Sequence, residues 1–145
     1  MSLFTSYRPS HRLNAICRGV AETLTEQSEA LTVLQNRAYE IMLKPISASM
    51  DMKKFADTVV NKFAWVKEEY LASKELLTRC KEVGDDGAQA RRFFAHLEEA
   101  HLAYYRMKLA QQHGLGPDSF KIFFDSYTEM ITALHACSLV ANSRW

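Results

Sequence analysis

The sequence predicts an all-α protein, a four-helix antiparallel bundle made of one long and one shorter α-hairpin. Apolar residues recur at the three- and four-residue spacing of a helix face through most of the chain. Only three prolines and five glycines occur, and most stand where that spacing breaks. No stretch of useful length alternates apolar and polar residues as a strand would.

The first helix is predicted from about residue 10 to residue 43. Ser10 can cap its start, and Lys44-Pro45 forces the backbone out of helical geometry. Gln27 is the polar exception in an otherwise apolar heptad pattern, and it either fixes the register or reaches solvent. Two rows carry the pattern: Leu13, Val20, Gln27, Leu34 and Ile41, with Cys17, Leu24, Leu31 and Ala38 four residues after the first four.

The second helix is predicted from about residue 50 to residue 83. It begins near Ser47 or Ser49, with Asp51 in its first turn, and ends before Gly84. Its rows are Met52, Val59, Val66, Ser73 and Cys80, and Ala56, Phe63, Tyr70 and Leu77. Each of these two helices would be about 50 Å long, and the short loop between them favours an antiparallel pair.

The shorter hairpin is predicted from residues 87–113 and 119–142. Asp86 can cap the third helix, the run 114–117 stops it, and Asp118 starts the fourth. The third helix carries an apolar stripe that includes Phe93, Leu97 and Tyr104. These helices would be roughly 36 to 40 Å long. Two helices of about 50 Å cannot be wholly covered by two shorter ones, so part of the long hairpin should remain uncovered.

The fourth helix is apolar around more than half of its circumference, which predicts burial on most sides. Two tryptophans off the main rows add aromatic side chains of the type enriched in interfaces. The candidate interface residues are Trp65, Phe120, Phe123, Phe124, Ile131 and Trp145. We therefore expect self-association, with a dimer favoured.

Composition bounds the remaining possibilities. The chain has 145 residues and a formal net charge of +1, which fits one helical domain over residues 1–145 and gives no bulk attraction to nucleic acid or anionic lipid. Cys17, Cys80 and Cys137 are odd in number and widely spaced, so we expect buried, reduced thiols and a cytoplasmic protein. No apolar run is long enough to span a membrane, and no signal peptide is recognisable.

Catalytic and metal motifs are mostly missing. Glu98 and His101 have the spacing of ligands in di-iron bundles, but the fourth helix offers Glu129 followed by Thr132 rather than a second histidine. We therefore assign no catalytic, cofactor-binding or metal-binding residue. An enzyme is left open but not favoured.

Two short runs mix cations with aromatic rings, around residues 91–94 and 104–108. They supply a candidate basic strip of Arg91, Arg92, Arg106 and Lys108. Ordinary amphipathic patterning explains them with rings inward and cations outward. The alternative is a strip for nucleic acid or an acidic protein, which the near-neutral charge disfavours.

The leading hypothesis is a non-enzymatic helical-bundle interaction protein, such as a subunit, adaptor, chaperone or effector. It would use its long hairpin, whose heptad rows are typical of a coiled coil, and its aromatic surface to self-associate and to bind a protein partner. Two alternatives stay open. One is an amphipathic coat protein with peripheral contact to lipid or granule surfaces. The other is a small helical subunit of a nucleic-acid complex.

Overall fold

The computed structural model describes residues 8–43, 49–143 and 145, and over these residues it contains helices and no strand. The all-α class is therefore confirmed. The helices are α1 (Pro9–Glu26), α2 (Ser28–Leu43), α3 (Ser49–Lys62), α4 (Trp65–Arg79), α5 (Asp85–Gln112) and α6 (Pro117–Ala141). The described ranges form six helices where four were predicted, so the four-helix antiparallel bundle is not confirmed. The predicted turn at Lys44-Pro45 and the start at Ser47 lie outside the described residues.

The first predicted helix divides at Gln27, the polar residue in its apolar rows. Gln27 has φ −90° and ψ 1°, which departs from helical geometry. Its amide still donates to the carbonyl of Thr23 at 3.0 Å, so the chain bends rather than unwinds. The side-chain oxygen of Gln27 is buried without a hydrogen-bond partner in the described part of the chain. The residue as a whole is half-buried, so it is this oxygen, and not the entire side chain, that is withdrawn from solvent.

The second predicted helix divides at Phe63 and Ala64. The amide of Ala64 donates to the carbonyl of Asn61 at 3.4 Å, one residue short of the helical acceptor Val60. The hydroxyl of Tyr104 instead donates to the Val60 carbonyl at 2.8 Å, in a buried position. A side chain from α5 thus replaces the helical donor at the break.

Several predicted helix ends are also displaced. α4 ends at Arg79 rather than Val83, because Cys80 adopts an extended conformation with ψ 109°. α5 begins at Asp85 after Gly84, whose φ of 82° favours glycine. Asp86, predicted as the cap, lies in the first turn of α5. α6 begins one residue before Asp118, at Pro117, where the fixed φ of proline suits a first helical position.

One hydrophobic core gathers side chains from all six helices. The heptad prediction holds along α1, where Leu13, Cys17, Val20 and Leu24 are all buried. α1 and α6 run antiparallel, because Asn14 near the start of α1 donates to the Trp145 carbonyl beyond the end of α6, whereas Leu24 near the end of α1 lies beside Tyr127 in the first half of α6. None of the described helices combines the length and hydropathy needed to cross a membrane.

A carboxylate anchors the start of α1 to the segment between α4 and α5. Oε1 of Glu82 accepts from the hydroxyl of Ser10 at 3.2 Å and from its amide at 3.4 Å. Oε2 accepts from the Cys80 thiol at 3.0 Å. The hydrogen bond from Cys80, assisted by those from Ser10 and from the amide of Glu82 itself and opposed by burial, lowers the pKa of Glu82 to about 2. The charged form is therefore the one that the fold stabilises.

This anchor predicts an acid-sensitive contribution to stability. Because the folded pKa of about 2 lies below the ordinary value of 4.5, the contribution is complete above about pH 4.5 and is lost as the pH falls toward 2. At pH 7, Glu82→Gln should lower the free energy of unfolding by about 1 to 2 kcal/mol. Urea unfolding of both proteins between pH 7 and pH 2 measures the difference, which should shrink with the pH. A difference that stays constant across this range would contradict the assignment.

Candidate functional site

A groove between α2 and α6 is the first candidate site. It encloses about 370 Å³ and is lined by Leu31 and Gln35 of α2 and by Tyr127, Ile131 and His135 of α6, among others. Leu31 and Ile131 are half-buried and pack against the core from this groove. The groove therefore combines an apolar strip with polar side chains such as Ser28, Thr32 and Thr128, a mixed lining that can take up apolar side chains and orient them by hydrogen bonds.

α2 beside this groove shows much of its apolar surface. The side chains that it buries are Ala38 and Ile41. Val33 is 66% exposed and Leu43 is 82% exposed. Tyr39 is half-exposed and packs its ring edge-on against Phe124, with centroids 5.7 Å apart. The expectation that part of the long hairpin remains uncovered thus falls on α2.

Phe120 and Phe123, two of the predicted interface residues, are core residues. They are 1% and 0% exposed, so the interface assignment was wrong for both. The reason is Phe55 of α3, whose ring contacts both of them edge-on at 5.8 and 6.1 Å. The chain itself therefore covers more of the circumference of α6 than the sequence reasoning allowed.

The other predicted interface residues are half-buried at separate places on the surface. Phe124 and Ile131 lie along α6 next to α2. The Trp65 ring packs on Phe63 at 6.2 Å, and its buried indole nitrogen has no hydrogen-bond partner in the described part of the chain. Trp145 is held within the chain, because its ring lies 6.4 Å from that of Phe93 and its indole donates to the Val140 carbonyl at 3.1 Å.

The candidate basic strip is spread along α5 rather than clustered. Arg91 and Arg92 donate to the Glu82 carbonyl and to Gln89 near the start of α5. Arg106 lies about 21 Å further along the helix than Arg92 and forms an ion pair with Glu129 at 2.7 Å. The Lys108 ammonium stands 6.0 Å from the ring centre of Tyr104. This dispersion gives little support to nucleic-acid binding.

Glu98 and His101, the partial metal motif, interact with α4 instead of with further ligands. The imidazole of His101 stacks on the Tyr70 ring with centroids 4.2 Å apart and an interplanar angle of 3°. The Tyr70 hydroxyl donates to Glu98 at 3.3 Å. Burial and then Lys67 lower the pKa of His101, against the opposing effect of Glu98. Within the described ranges, no group of three or more His, Cys, Asp or Glu side chains could hold a metal ion.

The three cysteines are free and buried, as the sequence predicted. Burial raises the pKa of Cys17 to about 12 and also raises the pKa of Cys137. Such thiols are protonated at neutral pH and are poor nucleophiles. They act as small apolar residues of the core.

No family model matches the chain, and neither a curated protein nor a solved structure matches it detectably.

Proposed function

We propose that this chain is a non-enzymatic helical-bundle interaction protein that self-associates and binds a protein partner through α2 and the α2–α6 groove. One observation carries the proposal: α2 buries two side chains in the described part of the chain and leaves Val33, Tyr39 and Leu43 at least half exposed. A folded protein that presents large apolar side chains beside an apolar groove stabilises itself further when another protein covers them.

The charge of α2 favours a protein over an anionic surface as the occupant. Its charged side chains are Glu29, Arg37 and Glu40, and Arg37 pairs with Glu40 at 3.3 Å. A helix with one cation and two carboxylates has no electrostatic attraction to anionic lipid or nucleic acid. An amphipathic helix with apolar anchors at i, i+3 and i+4 matches such a groove in shape and chemistry.

The helix order supports a bundle of four rods, two of them interrupted, which we also propose. α1 with α2, and α3 with α4, would each form one rod that bends at Gln27 or at Phe63, and α5 and α6 would form the other two. The free, buried cysteines support a reducing compartment such as the cytoplasm.

The partner site can be tested with an α2 variant and a charge-matched control. Val33→Glu/Leu43→Glu places two carboxylates at exposed apolar positions of α2, and Asn36→Glu/Gln112→Glu adds the same charge at exposed polar positions that do not line the groove. The wild type and the polar-position variant should capture the same protein from a native lysate, and the apolar-face variant should lose it by 10-fold or more. Equal capture by all three would reject α2 as the binding element.

A further inference from the structure

A second groove runs between α1 and α4, on residues that the partner site does not use. Two adjoining cavities of about 320 and 510 Å³ share Ala15 and Ile16 of α1. Gly19 and Ala72 also line it, and a Cβ atom built on Gly19 would meet no atom within 4 Å. Small side chains and open space along the centre of the groove allow another backbone to approach closely.

The two ends of this groove carry opposite charge. At one end, Arg79 and Glu75 both line the groove and neutralise each other, so the positive charge of this end comes from Arg12, which is exposed and has no ion-pair partner in the described residues. At the other end lie Glu69 and its neighbour Glu68. Glu26 follows Gly19 by two helical turns and so falls on the same face of α1.

The acidic end is not neutralised within the chain. Glu26, Glu68 and Glu69 have no ion pair in the part of the chain that the structure describes. Burial raises the pKa of Glu69, and the neighbouring charge of Glu68 raises it further. Positive charge from outside would therefore relieve a repulsion that the isolated chain retains.

We propose that the α1–α4 groove binds a second copy of this chain about a two-fold axis, with the basic end of each copy on the acidic end of the other. A two-fold axis perpendicular to the groove at its centre places Arg12 of one copy over the carboxylates of the next, twice in one dimer. A surface or ligand of a single charge would match one end and repel the other. This proposal deepens the self-association half of the proposed function and rests on it.

The area of the α1–α4 face determines how tightly we expect the two copies to associate. α1 has 18 residues and is about 27 Å long, and two adjacent helices are about 20 Å wide. Such a face would bury roughly 1,100 Å² summed over both copies, slightly below the lower limit of standard interfaces. We therefore expect a weak dimer, with a Kd of about 1 to 100 µM that rises with salt.

Sedimentation velocity over a concentration series tests the proposal. The wild type should shift from the 16.6 kDa monomer toward twice that mass as its concentration rises. Arg12→Glu and Glu68→Lys should each raise Kd by 10-fold or more. An equimolar mixture of the two variants should associate again, because each altered end then meets an opposite charge. Arg92→Glu, an exposed charge reversal on α5, should leave Kd unchanged.

Two further variants distinguish dimerisation through the α1–α4 groove from partner binding through α2. Gly19→Gln should fill the open space and weaken association while the chain keeps its helical circular dichroism. Val33→Glu/Leu43→Glu should still dimerise. Association that survives Arg12→Glu and Gly19→Gln, or a variant mixture that stays monomeric, would overturn the groove assignment and leave self-association standing. A wild type that is monomeric at about 1 mM would reject self-association itself.

Discussion

Phe123→Ala should lower the free energy of unfolding by about 3 to 5 kcal/mol, the largest single effect that we expect. The Phe123 ring is 0% exposed and lies between the Phe55 ring, at 6.1 Å, and the Phe120 ring, at 6.3 Å. Its removal loses the burial of the ring and leaves a cavity between α3 and α6. Urea unfolding followed by circular dichroism measures the loss.

Ile122→Ala is the matched control for this change. Ile122 precedes Phe123 on α6 but is 58% exposed, so its truncation should cost less than about 1 kcal/mol. Similar losses for the two variants would show that α6 does not present Phe123 to the core. That outcome would also reopen the sequence-based assignment of Phe123 to an interface.

Gly87→Ala should destabilise the protein by about 1 to 3 kcal/mol, although alanine is the better helix former. Gly87 is buried in the first turn of α5, and a Cβ atom there would overlap the carbonyl oxygen of Glu82 and crowd the Arg91 guanidinium. The Glu82 backbone cannot yield freely, since the side chain of the same residue is bonded to Ser10. Thermal unfolding should therefore show a clear drop in Tm.

Gly19→Ala supplies the opposite expectation in the same protein. Gly19 is also helical, but a Cβ atom there meets nothing within 4 Å. The helix propensity of alanine should therefore raise the free energy of unfolding by about 1 kcal/mol, measured on dilute monomer. If both glycines respond with the same sign, the close contact at Gly87 is not what governs its substitution.

Periodicity was enough to predict the helical class and most of the helical chain. The rows of α1 and α3 show why: Leu13, Cys17, Val20, Ala56 and Val59 are all buried at the expected spacing. The breaks at Gln27 and Phe63 were missed because a bend leaves the three- and four-residue spacing almost unchanged. The break near Phe63 depends on the Tyr104 hydroxyl, which comes from 44 residues further along the chain. A local pattern holds no information about such a donor.

The sequence predicted only part of the candidate site. The excess apolar surface was attributed to α6, where Phe55 in fact covers Phe120 and Phe123. The mismatch in helix lengths pointed to the long hairpin, where α2 carries three of the exposed large apolar side chains, and others lie on α5 and α6. The α1–α4 groove was missed, because small residues at its centre are typical of any helix and because the two helices that form it are far apart in the sequence.

The positions of the two tryptophans have a practical consequence for spectroscopy. Trp65 lines the α1–α4 groove, whereas Trp145 rests on Phe93 and its carbonyl accepts from the Asn14 side chain, away from the groove. Intrinsic fluorescence therefore combines two probes with different surroundings. A chain in which phenylalanine replaces Trp145 would emit from a single indole, and its emission maximum would follow events at the groove without a label.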